Sequence, residues 1–317
     1  MSEFDLIRRY FTRTTPHALL GVGDDAALLQ VSAGKVLAVS TDMLVCGTHF
    51  LADADPFLLG HKTLAVNLSD LAAMGAAPRW ALLSIALPKT DDAWLAQFSA
   101  GFFALAEQHQ VELVGGDTTR GPLNLCVTIF GEVPAHQALR RSGAATGDEI
   151  WVSGCLGDAA LALAHLQGRI VLPDAELEAI LPALHQPQPR VALGLALRGI
   201  ASSAIDISDG LLGDLGHILE ASQLGARLDF DAIPVSATLR RRLAQPLARS
   251  CMLAGGDDYE LCFTAPRARH AEVSEISARL ALPLSCIGKI VAERGCMVHD
   301  ALGNPLNIET SGYDHFR

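Results

Sequence analysis

The sequence predicts a two-domain α/β protein. The chain has 317 residues, half of them apolar, so it is long enough to bury two cores. In its first half, apolar runs typical of strands alternate with segments whose apolar residues recur at helical spacing. This periodicity is lost between Pro134 and Asp148, and further strands and helices follow. We therefore expect one domain at residues 1–137 and a second at residues 148–317.

Strands and helices alternate in the first domain. Runs rich in Val, Leu and Ile predict strands at Lys35–Ser40, Trp80–Leu87, Glu112–Val114 and Leu123–Val133. Helices are predicted at Pro56–Met74 and at Asp91–Gln108, with Thr90 as the N-cap of the second. The segment Gly115–Thr119 is predicted to be a Gly-rich turn after the third strand. The predicted domain is a mixed sheet with helices.

The second domain has a mixed α+β order. Its predicted helices are an Ala/Leu-rich segment after Gly157, Ala175–Leu184 and Val191–Arg198. Its predicted strands are Glu149–Ser153, Ala204–Ile207, Met252–Ala254, Leu261–Thr264 and Cys286–Ile290.

Composition and charge exclude several classes of protein. A net charge of −11 without a Lys/Arg block argues against nucleic-acid binding, and we interpret Arg240–Arg242 as a solvated helix face. No apolar stretch approaches the roughly 20 residues of a membrane span, and MSEFDLIRRYF does not resemble a signal peptide. The seven cysteines include no C-x-x-C pair, which indicates a reduced protein in the cytoplasm and not a disulfide framework or a zinc site.

Aspartates recur in or beside small-residue turns, usually after an apolar run. They are Asp24, Asp25, Asp42, Asp70, Asp117, Asp206, Asp209, Asp257 and Asp258. Strand ends that feed such turns commonly present polar side chains to one cleft. Two carboxylates about 4 Å apart repel each other by roughly 4 kcal/mol at an effective dielectric near 20, and a divalent cation reverses this repulsion. The pattern predicts a site for hard cations, most simply Mg²⁺.

Each acidic turn taken alone has a simpler explanation. Asp24 and Asp25 could stabilise a turn, and Ser208 and Asp209 could cap the helix that follows them. Recurrence favours metal binding, because Ser, Thr or Asn can cap a helix without electrostatic cost. Asp70 is the most informative case, since it lies within a predicted apolar helix and a buried acid there requires a counter-ion.

Phosphate-binding features are present, although the P-loop signature G-x-x-x-x-G-K-[ST] is absent. Gly116 and Asp117 supply backbone amides and a carboxylate in one segment, which suits a nucleotide phosphate with its Mg²⁺, although an ordinary tight turn would look the same. Arg141 could pair with a phosphate or with a surface acid. His49, seven residues after Asp42, could contact a substrate phosphate.

Seven motifs together resemble the thiamine-monophosphate kinase family in order and approximate spacing. They are GVGDDAA, STDMLVCGTHF, KTLAVNLSDLAAMGA, LVGGDTT, RSGAATGDEIWVSGCLGDAALAL, IDISDGL and GGDDYEL. That family is related to aminoimidazole ribonucleotide synthetase, selenophosphate synthetase and a hydrogenase maturation factor, which share a two-domain α/β fold and use ATP. The resemblance implies an aminoimidazole ribonucleotide synthetase-like fold and ATP-dependent phosphorylation of thiamine monophosphate with several Mg²⁺ ions. It leaves open whether K⁺ assists.

The resemblance also implies roles for individual residues. The positions that match metal ligands are Asp24, Ser40, Thr41, Asp42, Asp70, Asp117, Asp206 and Asp209. Gly116, Asp117, Arg141 and Ser208 match nucleotide contacts, and His49, Asp257 and Tyr313 match positions that hold thiamine phosphate. We expect Asp42, Asp209 and Arg141 to matter most for catalysis.

One departure and several alternatives stay open. The family commonly has GGEDYEL where this chain has GGDDYEL, so either Asp257 or Asp258 takes the substrate role. The resemblance further implies a homodimer formed by the first domains. The alternatives are another ATP-dependent enzyme of the same superfamily, acting on an aminoimidazole precursor or on selenide, and a non-catalytic Mg²⁺-nucleotide sensor.

Overall fold

A computed structural model describes residues 2–306, and these form two compact units. One unit comprises the described residues up to Leu71 together with Ala76–His136. The other comprises Ala72–Gly75 and the described residues from Gln137 onward. No helix in the described part of the chain is long and apolar enough to cross a membrane.

The first unit is built on a four-stranded mixed sheet. Its strands are β1 (Lys35–Val45), β2 (Ala77–Leu87), β3 (Glu112–Arg120) and β4 (Asn124–Pro134), in the order β1-β4-β2-β3. β4 pairs antiparallel with β1 and β2, and β2 pairs parallel with β3. The helices are α1 (Glu3–Leu6), α2 (Pro56–Ala73) and α3 (Asp92–Gln108), with a π-helical turn at Ile7–Phe11.

Close contact between two helices shapes the core of this unit. A Cβ atom at Gly60 of α2 would lie 2.1 Å from the backbone oxygen of Phe98, and one at Gly101 of α3 would lie 1.9 Å from that of Phe57. Only glycine permits backbones to approach so closely. The same unit buries large side chains almost completely, among them Leu64, Leu68, Trp80, Phe98 and Phe102.

The second unit contains a six-stranded mixed sheet. Its strands are β5 (Glu149–Ser153), β6 (Ser203–Asp206), β7 (Gly225–Asp229), β8 (Leu261–Ala265), β9 (Leu284–Val291) and β10 (Gly295–His299), in the order β10-β7-β9-β5-β8-β6. Its helices are α4 (Asp158–Leu166), α5 (Asp174–His185), α6 (Val191–Ala196), α7 (Leu211–Ser222), α8 (Ala237–Arg240), α9 (Pro246–Ala254) and α10 (His270–Leu280). The two mixed sheets with helices confirm the predicted α/β class.

Some local predictions were wrong. Gly115–Thr119 is not a turn but part of β3, because pairing with β2 continues through this segment, from Leu82 opposite Gly115 to Ala86 opposite Thr119. Met252–Ala254 is not a strand but the end of α9, a helix that begins at Pro246. A short apolar run does not distinguish a strand from a buried helical turn. Asp91, not Thr90, caps α3, and its side chain accepts a hydrogen bond from the backbone N–H of Trp94.

Candidate active site

Strand β1 and helix α2 bring two predicted metal ligands together in the first unit. The Ser40 hydroxyl donates a hydrogen bond to Oδ2 of Asp70 at 2.5 Å. Asp42 lies two residues beyond Ser40 on β1 and therefore on the same face of the sheet. Both β1 residues are half-buried, as is Asp70. The arrangement places hydroxyl and carboxylate oxygens on one side of the strand.

Thr41 lies on the opposite face of β1. Its hydroxyl donates to the backbone oxygen of Val127 at 3.0 Å and lies 3.0 Å from the hydroxyl of Thr128 on β4. The structure therefore separates the Thr41 side chain from those of Ser40 and Asp42. The alternation of side chains along a strand causes this separation, since neighbouring residues point to opposite faces.

Asp24 lies in an exposed turn that the bridge between Leu20 and Leu28 closes. Its Oδ1 accepts the backbone N–H of Asp25 at 2.9 Å, which is a contact within the turn. Its assignment as a metal ligand stays a prediction.

Gly116 and Asp117 lie on the exposed part of β3. A Cβ atom at Gly116 would lie 1.8 Å from the backbone oxygen of Leu83, and the residue has a φ of +151°. Both constraints require glycine here. Asp117 is exposed and lies opposite Ser84 of β2. The bare backbone beside an accessible carboxylate is a surface that a phosphate can approach.

His49 lies in the turn that follows β1. Its ring Nδ1 accepts the backbone N–H of Val45 at 2.9 Å. The backbone N–H of His49 donates in turn to the backbone oxygen of Val45. Because Nδ1 is the acceptor, the neutral ring carries its proton on Nε2. The turn thus holds His49 in the tautomer that can donate from Nε2.

In the second unit, the predicted ligands Asp206, Ser208 and Asp209 lie at the end of β6 and in the turn before α7. This turn is tied to the segment that precedes β8. Ile207 exchanges backbone hydrogen bonds with Tyr259 and Glu260, and the Ser208 oxygen accepts the N–H of Asp257 at 2.8 Å. The structure therefore brings IDISDG and GGDDYE together, although about 50 residues separate them in the sequence.

Asp214 of α7 is an acid of this region that the sequence reasoning missed. Its Oδ2 accepts the backbone N–H groups of Asp209 at 3.0 Å and Gly210 at 3.1 Å. Burial raises the pKa of Asp214 to about 7, and the negative charge of Asp206 contributes to the rise. One signal was present in the sequence, because Asp214 falls on the apolar stripe of an otherwise Leu-rich helix.

The two acids of GGDDYEL have different environments. Both carboxylate oxygens of Asp258 accept the backbone N–H of Gly157 at 2.9 Å, and burial raises the pKa of Asp258 well above its ordinary value. The Asp257 carboxylate instead accepts the Tyr259 hydroxyl at 3.1 Å. Asp258 is thus engaged in holding the loop that begins α4, whereas Asp257 is not part of that contact.

The roles of two further residues stay predictions. Arg141 is exposed in the segment before β5, where the backbone oxygen of its neighbour Arg140 accepts the N–H of Ala204. Tyr313 lies outside the described residues.

The chemistry of these side chains fits Mg²⁺, which prefers carboxylate and other oxygen ligands. Within residues 2–306, however, no group of three or more His, Cys, Asp or Glu side chains is arranged to hold a metal ion. The described residues therefore supply suitable donors but no complete protein cage. This is the usual situation for Mg²⁺ that binds together with a nucleotide, because phosphate oxygens and water complete its coordination.

Comparison with known proteins identifies the family. The models of the AIR synthase related protein N-terminal and C-terminal domains match residues 23–133 and 145–300. The thiamine-monophosphate kinase of Escherichia coli (strain K12) is 48% identical over 320 residues, and the match covers 99% of this chain and 98% of the relative. The chain belongs to the thiamine-monophosphate kinase family.

Solved structures of family members have the same fold. The thiamine-monophosphate kinase from Stenotrophomonas maltophilia K279a matches with a TM-score of 0.87 and 50% identity, over 94% of this chain and 96% of that one. AaThiL complexed with AMPPCP and TMP matches with a TM-score of 0.79 and 29% identity, over 99% of this chain and 96% of that one. The predicted aminoimidazole ribonucleotide synthetase-like fold is confirmed. The protein is a kinase, as its family membership predicts.

Proposed function

We propose that the chain transfers the γ-phosphoryl group of ATP to thiamine monophosphate and so produces thiamine diphosphate. The observation that carries the proposal is full-length similarity to a chain solved with AMPPCP and TMP, together with 48% identity to a thiamine-monophosphate kinase. The local geometry supports it, because oxygen donors, a phosphate-accessible glycine and a histidine in a fixed tautomer occur at the positions that the motifs assign.

The acids and hydroxyls are assigned to Mg²⁺ in this proposal. Ser40, Asp42 and Asp70 supply oxygens from one face of β1 and from α2. The assigned set also includes Asp24, Asp117, Asp206 and Asp209. Thr41 belongs to it by its place in the motif, although its hydroxyl lies on the other face of β1. Bound Mg²⁺ would neutralise part of the charge of the phosphates, which is the main barrier when two polyanions meet.

The remaining residues are assigned to the two substrates. Gly116, Arg141 and Ser208 hold ATP, with the Gly116 backbone open to a phosphate and the Arg141 guanidinium available for ion pairing. His49 donates from Nε2 to the phosphate of thiamine monophosphate, while Asp257 and Tyr313 orient the rest of that molecule. These contacts align the phosphate oxygen of thiamine monophosphate for in-line attack on the γ-phosphate. This oxygen needs no strong base, because a phosphate monoester is already largely ionised near neutral pH.

We also propose that the enzyme is a cytoplasmic homodimer. All seven cysteines are free, as expected in a reducing compartment. The outward face of β1 exposes Val39 and Met43 beside Thr41, and all three side chains are uncharged. A second copy presents the same face, so the two first units can cover each other symmetrically.

An ATP-turnover assay tests the function. We expect ADP to appear only when thiamine monophosphate is added, with thiamine diphosphate forming in equal amount. ADP release without this acceptor, or nucleotide binding without turnover, would favour a different superfamily activity or a sensor.

Asp42→Asn tests the assigned site. The variant replaces the Asp42 carboxylate, an assigned Mg²⁺ ligand, by a neutral amide. We expect this loss of charge to lower kcat on the order of 10²-fold or more and to leave the thermal midpoint of unfolding little changed. Asp53→Asn, at an exposed position of the same unit, is the matched control and is expected to retain activity. Near-normal turnover of Asp42→Asn at limiting Mg²⁺ would refute the assignment.

A further inference from the structure

Asp214 occupies a position where an acid is costly. It lies on the buried stripe of α7 with Leu211, Leu215 and Ile218, and only 3% of it is exposed. Burial of a carboxylate is unfavourable unless hydrogen bonds compensate. The compensation here is local, since one oxygen, Oδ2, accepts two backbone N–H groups of the preceding turn.

The N-cap of α7 has no side chain that could help to hold the turn before the helix. An ordinary N-cap side chain would satisfy the free N–H groups at the start of α7. The N-cap is Gly210, which has no side chain, a φ of +110° and no room for one, because a Cβ there would lie 2.6 Å from the backbone of Ala254. Asp214 holds the turn in a different way, because its Oδ2 accepts the backbone N–H groups of Asp209 and of Gly210 itself, which precede the N–H groups that an N-cap side chain would satisfy.

The turn held in this way carries Ser208 and Asp209 of the proposed site, and it follows directly after Asp206, the last residue of β6. We propose that Asp214 is a positioning residue for phosphoryl transfer: its Oδ2 fixes the backbone of residues 209 and 210 and thereby aims Ser208 and Asp209 at Mg²⁺-ATP. The inference rests on the proposed function and adds to it a residue that touches neither substrate nor metal. Misplacement of a binding group by about 1 Å can cost 10²-fold in rate, so this support has a measurable effect.

Two substitutions separate the hydrogen bonds from the charge. In Asp214→Asn, the amide oxygen can accept the same two N–H groups although the charge is lost. We expect kcat and the KM for Mg²⁺-ATP to stay within about threefold of the parent values. Asp214→Ala removes the acceptor, and we expect kcat/KM for ATP to fall at least about tenfold, with the KM for thiamine monophosphate unchanged.

Asp148→Ala is the matched control. Asp148 is also a buried acid of the second unit, 4% exposed, and its Oδ2 accepts the N–H of Ala145 in a turn. It belongs to no proposed binding residue set. We expect this control to lower the thermal midpoint but to leave kcat and both KM values within about twofold of the parent values.

Direct binding of AMPPCP with Mg²⁺, measured by calorimetry on the full chain, gives a readout apart from turnover. We expect weaker binding only for Asp214→Ala.

Unchanged binding and turnover in this variant would overturn the inference, as would a tenfold loss in Asp214→Asn, which would show that the charge itself is required. If Asp214→Ala does not fold, a tenfold loss in Asp214→Asn would still overturn the inference. A parent protein that binds AMPPCP but has no kinase activity would refute the proposed function, while the binding series would still test the positioning role.

Discussion

At the residue scale, the two adjacent acids of the segment GGDDYEL have different hydrogen-bond partners. Asp258 is held by the backbone N–H of Gly157, whereas Asp257 accepts the hydroxyl of Tyr259. Asp257 and Tyr259 both have positive φ, +70° and +49°, a conformation that non-glycine residues adopt rarely and that clusters at active sites and ligand-binding loops. Asp257 is therefore the better candidate for the substrate role, and Tyr259 the residue that orients it.

Tyr259→Phe tests whether Tyr259 orients Asp257 toward the substrate. Loss of a hydrogen bond to a charged group is worth about 1.5 kcal/mol, so we expect the KM for thiamine monophosphate to rise roughly tenfold while the KM for ATP stays constant. Steady-state kinetics with each substrate varied in turn measures both values.

Tyr10→Phe is the control for that variant. The Tyr10 hydroxyl is buried and has no hydrogen-bond partner among the described residues, so its removal should leave both KM values unchanged. Equal increases in the two KM values for Tyr259→Phe would contradict a specific role toward thiamine monophosphate.

At the element scale, Glu132 ties three strands of the first sheet together. It lies on β4, is 1% exposed, and accepts hydrogen bonds from Lys35 of β1 at 2.9 Å and Arg79 of β2 at 3.2 Å. The backbone N–H and hydroxyl of Ser32 also donate to it. Burial alone would raise the pKa of Glu132, but these donors outweigh it and lower the pKa to about 2. The carboxylate is thus stabilised in its charged form.

This shift predicts a pH-dependent stability. Because the folded pKa lies below the ordinary value of 4.5, the contribution of Glu132 is complete above pH 4.5 and is lost as the pH falls toward about 2. We expect Glu132→Gln to lower the free energy of unfolding by about 2 kcal/mol at pH 7, and by less at pH 3.5. Thermal unfolding of both proteins across this range measures the difference.

Glu107→Gln, at an exposed position of α3, provides the comparison and should follow the parent protein at every pH. A stability difference for Glu132→Gln that is the same at pH 7 and pH 3.5 would show that the lowered pKa does not govern it.

At the scale of the whole molecule, the outward face of β1 predicts self-association. Val39 and Met43 are 54% and 56% exposed on this edge strand, and a chain with a net charge of −11 can approach a second copy most easily through an uncharged surface. We expect Val39→Lys to convert a dimer into a monomer in sedimentation velocity measurements, because the symmetric interface would then bury two lysine charges, one from each copy.

The side chain at position 39 is already solvent-exposed, so the Val39→Lys monomer should remain folded. Val171→Lys, at a position of the second unit that is 84% exposed, should stay dimeric. A monomeric parent protein, or a Val39→Lys variant that stays dimeric, would contradict the proposed interface.

The sequence by itself determined the family, the α/β class and the types of side chain available for chemistry. These follow from residue identity and from the order of short motifs such as IDISDG and LVGGDTT along the chain. The role of Tyr313 and the detailed ligand set stay predictions.

Only the tertiary structure decided how the motifs are used. The length of β3 depends on pairing with β2, and the separation of Thr41 from Ser40 follows from the faces of a sheet that β4 completes. Asp258 is distinguished from Asp257 by Gly157, which is 101 residues away in the sequence. The physical reason is the same in each case: burial and hydrogen bonding depend on which distant backbone lies beside a side chain, and local sequence does not encode that neighbour.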